Sequence, residues 1–163
     1  IFEAVSSLNG AVFVHCGVLS IGVRNKLGLA SRFAIDCSSP LHLHSVAMTY
    51  PDLPIIIPHF GAGFLSEALM VADLCPNVHL DTSSSNSWIK YHPGLTLEDV
   101  FRQAFDVLGA DKLIFGTDSS FFPRGWQRGV WECQVEIMEK IGVTHSDKEK
   151  IFSGNFDRIF PAD

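Results

Sequence analysis

The sequence predicts an α/β fold built on a parallel sheet. Three observations lead there: short continuous apolar runs recur along the chain, each ends on a polar residue, and each is followed by a loop and a stretch of helical periodicity. A run that is apolar on both faces reads as a strand covered on both sides, as parallel strands are beneath crossover helices. Strand-then-helix units joined by right-handed crossovers leave two architectures, an open doubly wound sheet or part of a barrel.

Taken in order, residues 1–9 (IFEAVSSLN) read as the last turns of a helix, with Gly10 stopping it from the C′ position. The first residue is Ile1, so the expectation is a chain that starts in mid-domain. Strands are predicted at residues 11–16 (AVFVHC), 53–59 (LPIIIPH), 78–82 (VHLDT) and 113–118 (LIFGTD). Between them, a helix over 40–50 opens with Pro40 near its start, and one over 63–74 is apolar enough to lie on a sheet. A third, 97–108, has Thr96 as N-cap with Asp99 three residues on, a buried stripe of Val100, Phe101, Ala104, Phe105 and Leu108, and Gly109 as its stop. A fourth fits 128–141. A fifth is expected after Ser146, which would form a capping box with Glu149, and Asn155 is expected to cap the final helix. No low-complexity linker divides the chain, so residues 1–163 read as a single, partial domain.

Composition narrows the function. The 163 residues are 47% hydrophobic and 18% charged, which suits a large buried core. The net charge of −6 is spread without a basic run, so neither nucleic acid nor an anionic membrane is an expected partner. Small molecules are, and a homo-oligomer stays open. Apolar stretches fall well short of the roughly 20 residues that cross a bilayer, and no basic-then-apolar leader is visible. Cys16, Cys37, Cys75 and Cys133 stand far apart with no CxxC pair, which argues against a zinc knuckle or a dense disulfide framework and predicts a reducing cytoplasm. GxGxxG does not occur, and HFGAGF falls short of it, so a nucleotide-binding open sheet is the weakest reading.

The strand ends carry the chemistry. His15, His59, Asp81 and Asp118 each close a predicted strand, and parallel strands of a barrel bring their C-terminal ends to one mouth. Imidazole nitrogen and carboxylate oxygen are the donors of a zinc-type site that activates water or polarises a carbonyl. Asp81 has two readings, a residue of the mouth or a turn cap beside Thr82 and three serines.

VFVHCG, PLHLHSVAMTYP leading to IIIPHFGAGF, VHLDTSSSNSW, LIFGTDSSFFPRGW and IFSGNFDRIF together resemble the amidohydrolase-related (amidohydrolase 2) family, relatives of aminocarboxymuconate-semialdehyde decarboxylase. The resemblance runs nearly end to end. It implies the C-terminal half of a (β/α)8 TIM barrel, strands five to eight, acting as a metal-dependent hydrolase or non-oxidative decarboxylase on a small carboxylated or cyclic substrate. It implies that His15 and Asp118 are metal ligands, that Asp118 can also accept a proton, that His59 is the acid/base, and that the divalent metal is zinc above all. The family's paired H-x-H ligands on strand one have no counterpart here. His42-Leu43-His44 lies in a helical pattern, where residues two apart diverge, so both histidines read as surface residues. Without that pair the fragment alone is expected to be inactive. Trp88, Phe121, Arg124 and Trp126, on loops after the last two strands, are the candidate substrate contacts, with Arg124 able to grip a carboxylate. His79, His92 and His145 read as structural or exposed.

Overall fold

Four strands form one sheet in the order β1-β2-β3-β4, every neighbour parallel: β1 (Val12–Phe13), β2 (Ile55–Ile57), β3 (Val78–Asp81) and β4 (Leu113–Ile114). The computed structural model describes residues 1–19, 26–30, 33–83, 86–119 and 125–161. Spatial order follows chain order without reversal, whereas a doubly wound sheet reverses at a switch point; this is how successive strands of a (β/α)8 barrel lie.

The register aligns Val12 with Ile55, Ile55 with Val78 and Leu80 with Leu113. Alternation then sorts the faces. Ile55, Ile57, Val78, Leu80 and Leu113 join the hydrophobic cluster that takes in Leu65, Ala68 and Ala72 from one helix and Val100, Phe101 and Ala104 from the next. Ile56, His79, Asp81 and Ile114 point to the opposite face, the barrel interior.

Each strand is shorter than the apolar run that predicts it, and the polar ends explain why. After Ile57, Pro58 has no amide to donate and His59 turns left-handed, with φ +56°. After Ile114, the Phe115 amide donates to Ile151 rather than to a strand. The candidate residues His15, His59 and Asp118 therefore sit just beyond the ladder.

Helices α1 (Phe2–Ser7), α2 (Leu43–Thr49), α3 (Leu65–Leu74), α4 (Leu97–Leu108), α5 (Arg128–Lys140), α6 (His145–Glu149) and α7 (Asn155–Ile159) fill the intervals. Asn9, not Gly10, holds the left-handed position after α1, while the Asn9 and Gly10 amides donate back to Ser6 and Val5; Gly10 is needed because a Cβ there would lie 2.8 Å from Val5 Cγ1. Residues 40–42 form a 3₁₀ turn before α2, and His42 and His44 are exposed. The start of α3 falls two residues later than the periodicity suggests because Gly63, at φ +108°, belongs to the turn. The α4 capping box is present, Thr96 and Asp99 each accepting the other's amide. The cap of α6 is Thr144, whose Oγ1 accepts from the Asp147 amide, because the helix begins at His145 and not after Ser146. Asn155 does not cap: its amide group donates to the carbonyls of Ala110 and Leu113 at 2.8 Å each.

Candidate active site

Two loops are stitched together at the C-terminal ends of β1 and β2. The Val18 amide donates to the Ala62 carbonyl at 2.8 Å, and Gly17 has no room for a side chain, since a Cβ would lie 2.2 Å from the Gly61 oxygen and 2.3 Å from that of Ala62. This contact sets the His15 and His59 rings side by side, centroids 5.3 Å apart. His59, Phe60, Ala62 and Asp118 all adopt positive φ without being glycine, a conformation that costs about 1–3 kcal/mol per residue and concentrates at functional sites.

Asp118 reaches His15 electrostatically. Burial lowers the His15 pKa and the neighbouring His59 lowers it further, while the Asp118 carboxylate opposes both. His15 Nδ1 is buried and has no hydrogen-bond partner among the described residues. An imidazole kept neutral, with a ring nitrogen committed to no donor or acceptor, is the form that binds a metal. Among the described residues no group of three or more His, Cys, Asp or Glu side chains could hold an ion by itself. His15 and Asp118 thus fit two positions of a donor set that needs further ligands.

Behind His59 lies a buried polar chain. Ser83 Oγ stands 2.9 Å from His59 Nδ1, and the Ser83 amide donates to Asp81 Oδ1 at 2.6 Å. Burial raises the Asp81 pKa, and the nearby Ser83 side chain and amide and the His59 amide pull it back. Asp81 therefore caps its own turn, and the Ser83 it caps touches His59. The space it occupies exists because residue 116 is glycine: a Cβ there would lie 2.6 Å from Asp81 Oδ2. Gln134 of α5 braces the same strand ends, donating to the Thr82 carbonyl at 2.8 Å and accepting from Thr82 Oγ1 at 2.7 Å.

His15, His59 and Asp118 are thus brought together at the strand ends. Trp88 is only 2% exposed and belongs to the hydrophobic core, its Nε1 donating to Asn86. Trp126 is 63% exposed, with its ring against Phe115. Phe121 and Arg124 lie outside the described residues. His79 is buried and pushed down to about 4, His92 contacts the Gly63 carbonyl, and His145 is exposed. Sequence reasoning did not single out Ser83, Gly116 or Gln134. For Gln134 a signal existed: it shares a helix face with Ile137 and Met138, a polar residue where the stripe is apolar.

A family model described as amidohydrolase matches residues 1–162. The chain belongs to the amidohydrolase family. Protein fluG of Emericella nidulans is 28% identical over 86 residues, 53% of this chain and 10% of that protein. An uncharacterised TIM-barrel protein of Bordetella bronchiseptica superposes with a TM-score of 0.61 at 21% identity, over 98% of this chain and 48% of that one. An amidohydrolase of Burkholderia multivorans with bound zinc superposes with a TM-score of 0.64 at 13% identity, over 99% of this chain and 56% of that one. Other similar structures bear the names of hydrolases and decarboxylases. The amidohydrolase chain thus spans about half the length of these solved barrels, and its strands are part of a TIM barrel.

Proposed function

We propose that this amidohydrolase chain is the half of a metal-dependent enzyme that supplies the acid/base residue and two metal ligands, acting on a small carboxylated or cyclic molecule by hydrolysis or by non-oxidative decarboxylation. One observation carries the reading: His15, with an unpartnered buried Nδ1, stands beside His59 and within the field of Asp118 where parallel strands end. His15 and Asp118 would hold the ion, zinc being the best match to nitrogen and carboxylate donors. A bound divalent ion would supply Lewis acidity toward a carbonyl or a water molecule.

The remaining chemistry belongs to His59. An imidazole can take a proton from water and return it to a leaving group in hydrolysis, or deliver it to the carbon that carbon dioxide vacates in decarboxylation. A cavity of about 440 Å³ beside the stitched loops, lined among others by Val18, Ala62, Phe64 and Tyr91, has walls suited to the apolar face of a ring. Arg124 is proposed to grip a substrate carboxylate, with Phe121, Trp126 and Trp88 shaping or supporting the loops around it. The 163 residues alone are proposed to be inactive, since they offer two ligands where a catalytic zinc has three from protein.

In the full-length protein, His59→Ala is expected to lower kcat by about 10²-fold or more with metal content near wild type, whereas His15→Ala is expected to lose the metal. Metal analysis and steady-state kinetics on the two variants check this. Metal lost from the first and kept in the second would exchange the roles; full activity in both would end the catalytic reading.

A further inference from the structure

We propose that helix α5 positions Asp118: Gln127 and Gln134 grip the carbonyls of the turn that carries it, and so keep the Asp118 backbone in the left-handed conformation that presents its carboxylate at the strand ends. This deepens the metal-ligand role just given to Asp118, and rests on it for the metal readout.

The turn spans residues 116–119, just past β4, and Asp118 stands in it at φ +53°. A residue with a Cβ keeps such a backbone only where its surroundings over-determine it. Here they do. Gln127 Nε2 donates to the Thr117 carbonyl at 3.2 Å, while Gln134 Nε2 donates to the Gly116 carbonyl at 3.4 Å and to that of Thr82 at 2.8 Å. The Thr117 and Ser119 hydroxyls meet on either side of Asp118. From β3, Asp81 Oδ2 and Ser83 Cβ close on Gly116, where a Cβ would lie 2.6 and 2.9 Å from them.

The chemistry of the groups fixes the direction of these bonds. A carbonyl only accepts, so the two carbonyls before Gln134 require its NH2 group, which has two protons to give. Its Oε1 is left for the Thr82 hydroxyl, at 2.7 Å. Both polar atoms of the Gln134 side chain are thus engaged, at a position only 2% exposed. Gln127 is the N-cap residue of α5 and Gln134 follows seven residues later, about two helical turns, so one face of the helix carries both. The carboxylate so held is the one whose charge is felt at His15. Gln127 and Gln134 are positioning residues, acting through the backbone of the turn.

The test uses the full-length protein. Gln127→Met and Gln134→Met keep side-chain length and remove the donors. Asn77→Ala, which removes bonds to the carbonyls of Ala47, Tyr50 and Leu53 at the opposite end of the strands, is the control for stability alone. Zinc affinity is read by competition with a chelator, and ligand geometry by the visible spectrum of the cobalt(II)-loaded protein. Each Met variant is expected to bind zinc about 10-fold more weakly, the lower end of the scale for residues that orient metal ligands, and to shift the cobalt bands. The control is expected to change neither. Unchanged affinity and bands in the folded Met variants overturn the proposal, and so does an equal loss in the control. A crystal structure of the wild type with Asp118 outside the left-handed region, or with Gln127 turned away from Thr117, overturns it even if no variant folds. If Asp118→Ala binds zinc as tightly as the wild type, the ligand role of Asp118 falls. The hold on the turn is then judged by a crystal structure of Gln127→Met, in which Asp118 is expected to leave the left-handed region and whose retention there overturns it.

Discussion

At the scale of single residues, two histidines of the barrel interior differ in their surroundings. His15 and His79 each keep a buried Nδ1 without a hydrogen-bond partner among the described residues. His15 lies at the mouth, where a ligand can be met; His79 lies two residues below Asp81 on β3, and burial, with Lys112 and Arg158 adding to it, pushes its pKa down to about 4. The sign follows from linkage. The folded pKa lies below the unfolded value of about 6.5, so between the two the unfolded chain binds more protons and stability falls as pH drops. The loss is absent above that window, complete below it, and roughly 3 kcal/mol in total, from about 1.4 kcal/mol per pKa unit. Urea midpoints of the wild type and of His79→Leu, followed through that pH range, should show a slope in the first that the second lacks. Equal slopes would mean that His79 is charged in the fold.

At the scale of elements, the starts of β2, β3 and β4 are each clamped by a side chain from further along the chain. Asn77, just before β3, donates to the carbonyls of Ala47, Tyr50 and Leu53 that lead into β2. Lys112, just before β4, reaches the carbonyls of Ala72, Cys75, Pro76 and Val78 that lead into β3. Asn155 does the same from α7 for the approach to β4. Helix C-termini leave carbonyls without intrahelical partners, and these nitrogens satisfy them at the barrel end away from the site. Asn77→Ala should therefore cost about 1–3 kcal/mol of stability through unmade bonds to carbonyls, with kcat/KM unchanged. Thermal denaturation beside a kinetic assay separates the two; a kinetic loss without a stability loss would contradict the assignment. Helix amphipathicity and the Thr96 box were legible in sequence because they depend on neighbours along the chain. The clamps were not, because Asn77 meets its carbonyls only after two units have docked.

At the scale of the whole molecule, β1 and β4 each lack an outer neighbour among the described residues, and the solved barrels this chain resembles are about twice as long. The inner residue Phe13 is 55% exposed on the β1 edge. Open parallel edges invite pairing with further strands, and under the proposed function the remaining metal ligands would come from there. A polypeptide of these 163 residues should accordingly bind zinc weakly. Equilibrium dialysis checks it, and one zinc ion retained per chain would show that further side chains of these 163 residues complete the donor set.

What the sequence determined by itself is local and periodic: which runs are strands, which stretches are helices, and that a polar residue ends every strand. Those features need only the alternation of apolar and polar side chains, and in a parallel topology they already predict a shared mouth for His15, His59 and Asp118. Two readings of Asp81 were open until the chain folded. Tertiary structure shows the turn cap, with the Ser83 amide on the carboxylate, and sets the Ser83 hydroxyl against the His59 ring. It also decided why residue 116 is glycine and why Gln134 is buried, since each answers to an atom on another strand or loop. Contacts between residues tens of positions apart leave no period in the sequence; they exist only when β2, β3 and β4 lie side by side.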